Sequence, residues 1–162
     1  MRKLFIAVFL FLCWGLSFAQ TRTYADNASN SFVFGLESYL YGDSGALYFS
    51  AFGREFVASI SSGVVFVDGA ILSEGTGDTI VGVHDFTGDK AAELVLARRT
   101  DSGISATVYA FKSGSWKPLV QISRPEASEI RVFRQVISIR SGETLHSWTW
   151  RSGRFDYKSS LQ

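Results

Sequence analysis

The chain has 162 residues, 46% of them hydrophobic, with 16 Lys and Arg against 15 Asp and Glu. So even a balance leaves no basic surplus to neutralise a phosphate backbone, which argues against nucleic acid as a partner. The one cysteine, Cys13, excludes an intramolecular disulfide, so stability must rest on packing, with or without a bound ion.

Read from the start, the chain opens with three zones. Arg2 and Lys3 are positive, Leu4 to Leu16 is uncharged and apolar, and Ser17-Phe18-Ala19 puts small residues at −3 and −1 before Gln20. A signal peptidase reads that layout. The apolar run is shorter than the ~20 residues a membrane-spanning helix needs, so residues 1–19 are expected to be a cleaved signal peptide. Export places the mature chain in the periplasm or outside the cell, with no membrane span after cleavage. Cys13 follows Leu12 and lies inside the apolar run, which does not suit a lipid-attachment site. Cleavage lowers the basic count by two to 14, against 15 acidic residues, and the length by 19 to 143. That length suits one domain with a substantial core. Residues 20–31 are polar and are expected to form a flexible leader.

Residues 32–162 read as a single all-β domain. Apolar runs of four to eight residues alternate with glycine-bearing turns, and 14 Phe, 6 Tyr and 4 Trp suit pleated, half-buried surfaces. Strands are expected over 32–41, 46–52, 56–60, 64–67, 79–84, 93–99, 106–111, 116–122, 130–140, 144–150 and 154–158. Six pairs signal hairpin turns: Ser62-Gly63, Asp68-Gly69, Ser102-Gly103, Ser113-Gly114, Ser141-Gly142 and Ser152-Gly153. Residues 126–134 are the best candidate for a helix, and Ile130, Val132 and Phe133 fit a strand as well. The spacing predicts antiparallel four-stranded meanders, either blade-like or curled into a sandwich or small barrel. About three such units fit the chain, fewer than the usual minimum of four blades for a closed propeller. A single compact unit is the preferred form, and an open edge for self-association is the alternative.

Two segments echo each other. Tyr109-Ala110-Phe111-Lys112-Ser113-Gly114-Ser115-Trp116 aligns with Trp148-Thr149-Trp150-Arg151-Ser152-Gly153-Arg154-Phe155, 39 residues later counted from Phe111 to Trp150. Each has two aromatics on one strand face, a basic residue, a Ser-Gly turn and an aromatic on the returning strand, which predicts a hairpin repeat. Residues 39–47 make a looser third copy. Most strand aromatics fill cores, but Tyr109, Trp116, Trp148 and Trp150 would be the stacking residues if such a face were exposed to sugars.

The loop Asp85-Phe86-Thr87-Gly88-Asp89-Lys90-Ala91-Ala92-Glu93-Leu94 carries side-chain oxygens at Asp85, Thr87, Asp89 and Glu93, relative positions 1, 3, 5 and 9. With the Ala91 carbonyl they can surround one point, and Ca²⁺ takes six to eight oxygens at about 2.3–2.6 Å. A hairpin corner whose aspartates accept backbone N–H bonds is the metal-free alternative. These residues resemble the Asp-Phe-Asn-Gly-Asp-Gly-x-x-Asp-Leu pattern of FG-GAP and VCBS-type β-propeller repeats. The match rests on Asp85, Phe86, Gly88, Asp89 and Leu94, with Glu93 for the final aspartate. Thr87 and Lys90 depart from it, and Lys90 replaces a glycine suited to positive φ. The resemblance implies blade-like structure and calcium as the only candidate cofactor.

No catalytic set emerges. Gly42-Asp43-Ser44-Gly45 echoes a serine-protease nucleophile segment but sits in turn chemistry, without the context of a triad. His84 and His146 have no zinc-type spacing, and Arg98-Arg99 read as solvated or edge charges. The expected function is a non-catalytic extracytoplasmic binding or structural module with a protein or glycan partner. A carbohydrate-binding domain and a small secreted hydrolase are the alternatives.

Overall fold

The computed structural model describes residues 31–43 and 45–161; the expected signal peptide over 1–19 and nearly all of the expected leader over 20–31 lie outside them. The described chain is all-β. Fourteen strands run β1 Val33–Phe34, β2 Ser38–Tyr41, β3 Ala46–Ala51, β4 Arg54–Ser61, β5 Val64–Val67, β6 Ala70–Ser73, β7 Asp78–His84, β8 Glu93–Thr100, β9 Gly103–Lys112, β10 Ser115–Pro125, β11 Ile130–Phe133, β12 Val136–Ser141, β13 Thr144–Arg151 and β14 Arg154–Leu161. Among the described residues no helix is long and apolar enough to cross a membrane. The helix candidate over 126–134 gives way to a turn and β11.

Three antiparallel four-stranded meanders follow one another along the chain. Sheet I is β3-β4-β5-β6; sheet II is β10-β9-β8-β7 with β2 added at the β7 edge; sheet III is β11-β12-β13-β14 with β1 added at the β11 edge. None closes into a barrel, because each keeps two free edge strands. The β1–β11 pair is the one parallel pairing among these sheets, over Val33↔Ile130 and Phe34↔Arg131.

Sheet II lies between the other two. One core joins Ile80, Val95, Ala106, Val108 and Ile122 of sheet II to Ile130, Val132, Ile137, Ile139 and Trp148 of sheet III. The other joins Val81, Val83, Leu94 and Leu96 to Leu47, Phe49, Phe56, Ile60 and Val65 of sheet I. Burial on both faces explains the sequence of β7 and β8, where Thr79–Val83 and Leu94–Ala97 are buried without interruption. Strands β3 and β4, covered on one face, alternate buried and more exposed positions instead.

The first described residues thread across all three layers: β1 joins sheet III, β2 sheet II and β3 sheet I. The expected strand over 32–41 therefore breaks at Gly35, whose φ of +89° and closeness to the Val132 carbonyl leave no room for a side chain. Strand β2 then crosses so near Gly82 that a Cβ there would lie 2.8 Å from the Ser38 oxygen. The expected strand over 130–140 likewise splits, turning at Arg134 and Gln135. Strand β6 is an unexpected element: a short edge strand with Ile71 60% exposed, so no buried alternation in the sequence marks it.

All six turn signals fall at hairpins, but two are offset by one residue. The β8–β9 turn is Asp101-Ser102 and the β12–β13 turn Gly142-Glu143, as the pairs Thr100↔Gly103 and Ser141↔Thr144 require. The two aromatic segments form the last hairpins of sheets II and III, with Phe111↔Trp116 and Trp150↔Phe155 at equivalent places before the turns. The loose third copy is no hairpin, since β2 and β3 belong to different sheets.

The candidate β7–β8 loop and the aromatic clusters

The β7–β8 loop is held from within by its own carboxylates. Asp85 Oδ1 accepts the Gly88 amide at 2.7 Å and the Thr87 hydroxyl at 3.3 Å, while Oδ2 accepts the Lys90 amide at 2.9 Å. Asp89 Oδ1 accepts the Ala91 amide at 2.8 Å. This is the aspartate-capped corner that short oxygen side chains favour. Lys90 nevertheless takes φ +68°, the conformation for which a glycine suits better.

Phe86 anchors the loop. It is fully buried in the core between sheets II and III, edge-on to His84 at 4.6 Å and to Phe155 at 5.5 Å. That placement pulls Glu93 inward, where Oε2 accepts the Phe86 amide at 2.8 Å. Glu93 is 1% exposed, and Oε1 has no partner. Burial, with Asp89 and Asp85 adding negative potential against the Phe86 and Thr87 amides, raises its carboxyl to about 7.

As folded, the loop is not a closed ion cage. Among the described residues no three His, Cys, Asp or Glu side chains are gathered to hold a metal. What fits a cation is the orphaned Glu93 Oε1 in the negative potential of Asp89 and Asp85; what opposes one is that Asp85 already serves three donors. Ala91 contributes its amide to the corner, and Thr87 acts as a donor rather than a ligand.

Two residues that the sequence did not single out complete the surroundings. Glu37 Oε1 accepts the Asp85 amide at 3.1 Å and lies 3.7 Å from His84 Nδ1. The buried His84 donates from Nε2 to the Arg134 carbonyl at 2.7 Å, which fixes the proton on Nε2 and ties sheet II to sheet III. Glu37 and Arg134 lie 47 and 50 residues from His84, so no local signal could have named them.

The candidate stacking aromatics turn inward. Trp148 is buried, and Trp150 is half-buried against Phe155 at 5.2 Å. Tyr109 and Trp116 are half-buried and pack, with Phe111, against the core shared with sheet I. Arg124 stacks over Trp148 and Tyr157 at 5.1 and 5.3 Å, and His146 Nδ1 meets the Tyr157 hydroxyl at 2.7 Å. Desolvation and then Arg124 lower the pKa of His146.

Other candidates resolve into structural work. Asp43 accepts the Ser62 amide at 3.0 Å, capping the β4–β5 turn; Ser44 lies outside the described residues. Arg98 is not a solvated charge: its guanidinium donates to Ser73 Oγ at 2.9 Å and the Gly63 carbonyl at 3.0 Å, bridging sheets II and I. Arg99 pairs with Asp78 at 2.7 Å and covers Phe32. No protein family, curated protein or solved structure matches this chain.

Proposed function

We propose that the chain is a non-catalytic extracytoplasmic binding or structural module of FG-GAP/VCBS-like type, with its β7–β8 loop stabilised by calcium. The observation that carries this reading is Glu93: a carboxylate 1% exposed, one oxygen without a donor, in a loop with Asp85 and Asp89. A buried charge is costly unless paired, and a divalent cation would pair it. The residues that would hold it are Asp85, Asp89 and Glu93, with Asp89 exchanging the Ala91 amide for the ion. Such a remodelled corner is a weak site, on the order of 10⁻⁴–10⁻³ M, which extracellular calcium fills.

Melting the mature protein with and without calcium tests this. At 10 mM calcium and Kd near 1 mM the stabilisation is about 1.4 kcal/mol, or roughly 5 °C for a domain of this size. EDTA should reverse the shift and Asp89→Ala should abolish it. An unchanged melting temperature on adding calcium removes the ion from the reading. Export is tested separately by the N-terminal sequence of the secreted protein, which should begin at Gln20.

A further inference from the structure

The two cores do not close alike at their edges. Between sheets I and II the β5–β6 hairpin and the β9–β10 hairpin leave a cleft of about 380 Å³, walled by Phe56, Val67, Leu72, Tyr109, Phe111 and Trp116. That volume lies in the range of small-molecule sites. Its aromatic wall is ordered: Phe56 meets Phe111 and Trp116 edge-on at 5.0 Å each, and those two meet at 5.4 Å. Phe111 and Trp116 are only half-buried, so apolar ring surface still faces the cleft.

Arg54 lines the same cleft and is exposed. Its guanidinium carbon sits 5.3 Å from the Phe56 ring centre and 5.1 Å from that of Phe111. Among the described residues no carboxylate pairs with it. The other charge in the lining, Asp68, is committed through Oδ1 to the Val57 amide at 2.9 Å. A guanidinium held against rings keeps its N–H fork for a planar anion. The rest of the lining is mixed: Phe56, Val67, Leu72, Phe111 and Trp116 offer ring and aliphatic surface, while Asp68, Tyr109 and Ser115 add polar groups, and Arg54 is its one cation.

We propose that this cleft binds a small aryl carboxylate, its ring against Phe111 and Trp116 and its carboxylate on the Arg54 guanidinium. The site shares no residue with the β7–β8 loop, so it stands whether or not calcium binds there.

Calorimetric titration of the mature protein with 2-naphthoate, and with the neutral 2-naphthamide, tests the assignment. Naphthoate should bind with 1:1 stoichiometry, and naphthamide about tenfold or more weaker, the loss of one charge-assisted contact. Arg54→Met should weaken naphthoate by a similar factor, and Leu72→Trp, which fills the cleft, should abolish binding. Arg124→Met, at the other inter-sheet boundary, should leave it unchanged. Absence of naphthoate binding, equal binding of naphthamide, or full binding by Arg54→Met overturns the proposal. Because Arg54 is exposed, that variant folds and keeps the test decisive even if Leu72→Trp unfolds.

Discussion

The boundary between sheets II and III is sealed, whereas the boundary between sheets I and II is open at one end. In the first, Phe86 and Trp148 are buried, His84 bonds across the layers, and Arg124 lies over Trp148 and Tyr157 as a cover. In the second, a comparable set of rings, Phe56, Phe111 and Trp116, is capped by Arg54 but not covered by a facing strand, and a cavity remains. Both boundaries are built from hairpin aromatics and an arginine. The difference shows that side-chain type does not decide whether such a wedge becomes core or cleft; the approach of the facing sheet does.

Substitution should expose that contrast. The largest effect is expected from Phe86→Ala, which empties a fully buried ring site and should cost about 3–5 kcal/mol. Trp116→Ala, at the half-buried counterpart, should cost markedly less, and urea denaturation of the two variants measures the gap. Equal losses would mean that the cleft is packed as tightly as the sealed boundary.

Next is the proton on Glu93, with a sign opposite to most acids. Its folded pKa of about 7 lies above the ordinary carboxyl value of 4.5, so the native state binds the proton more tightly than the unfolded chain. The resulting stability is fully present below about pH 4.5 and is lost as pH rises through about 7. In EDTA, melting temperature should therefore fall between pH 5 and pH 8. Glu93→Gln should remove that fall and stabilise the protein at pH 8 by up to about 3 kcal/mol. A pH profile identical in the variant and the parent would show that another group controls it.

Arg98→Met should be milder. It removes two charge-assisted hydrogen bonds between sheets II and I, at about 1.5–3 kcal/mol, partly offset because the buried Nε has no partner to lose. The smallest effect belongs to Arg54→Met, which gives up exposed cation–π contacts worth about 0.5–1 kcal/mol. Thermal melts rank the pair, and a larger loss at Arg54 than at Arg98 would reverse the assignment of bridge and cap.

Much of this architecture was legible in advance. The Ser-Gly and Asp-Gly pairs marked hairpins, and the apolar runs over 46–52 and 56–60 marked the strands that became β3 and β4. The unbroken apolar runs of β7 and β8 marked strands, though not that both their faces would be covered. The aspartate-capped corner of the loop was equally readable, because an aspartate that precedes a glycine turn caps nearby amides whatever surrounds it. Edge strand β6, the breaks at Gly35 and Arg134, and the bridging role of Arg98 were not legible. Gly35 and Arg98 depend on partners distant in the chain, Val132 for the first and Ser73 and Gly63 for the second, whereas β6 lacks buried alternation and the Arg134-Gln135 turn carries no glycine.

By itself, then, the sequence determined strand pairing between neighbours, since two-residue periodicity and turn chemistry act over a few residues. Only tertiary structure decided which faces met. It stacked the meanders in the order I–II–III, sent the first strands across all of them, drove Glu93 into a buried position and left the cleft beside Trp116 open. Those outcomes follow from how whole sheets pack, a matter of long-range contact and desolvation that no local pattern records.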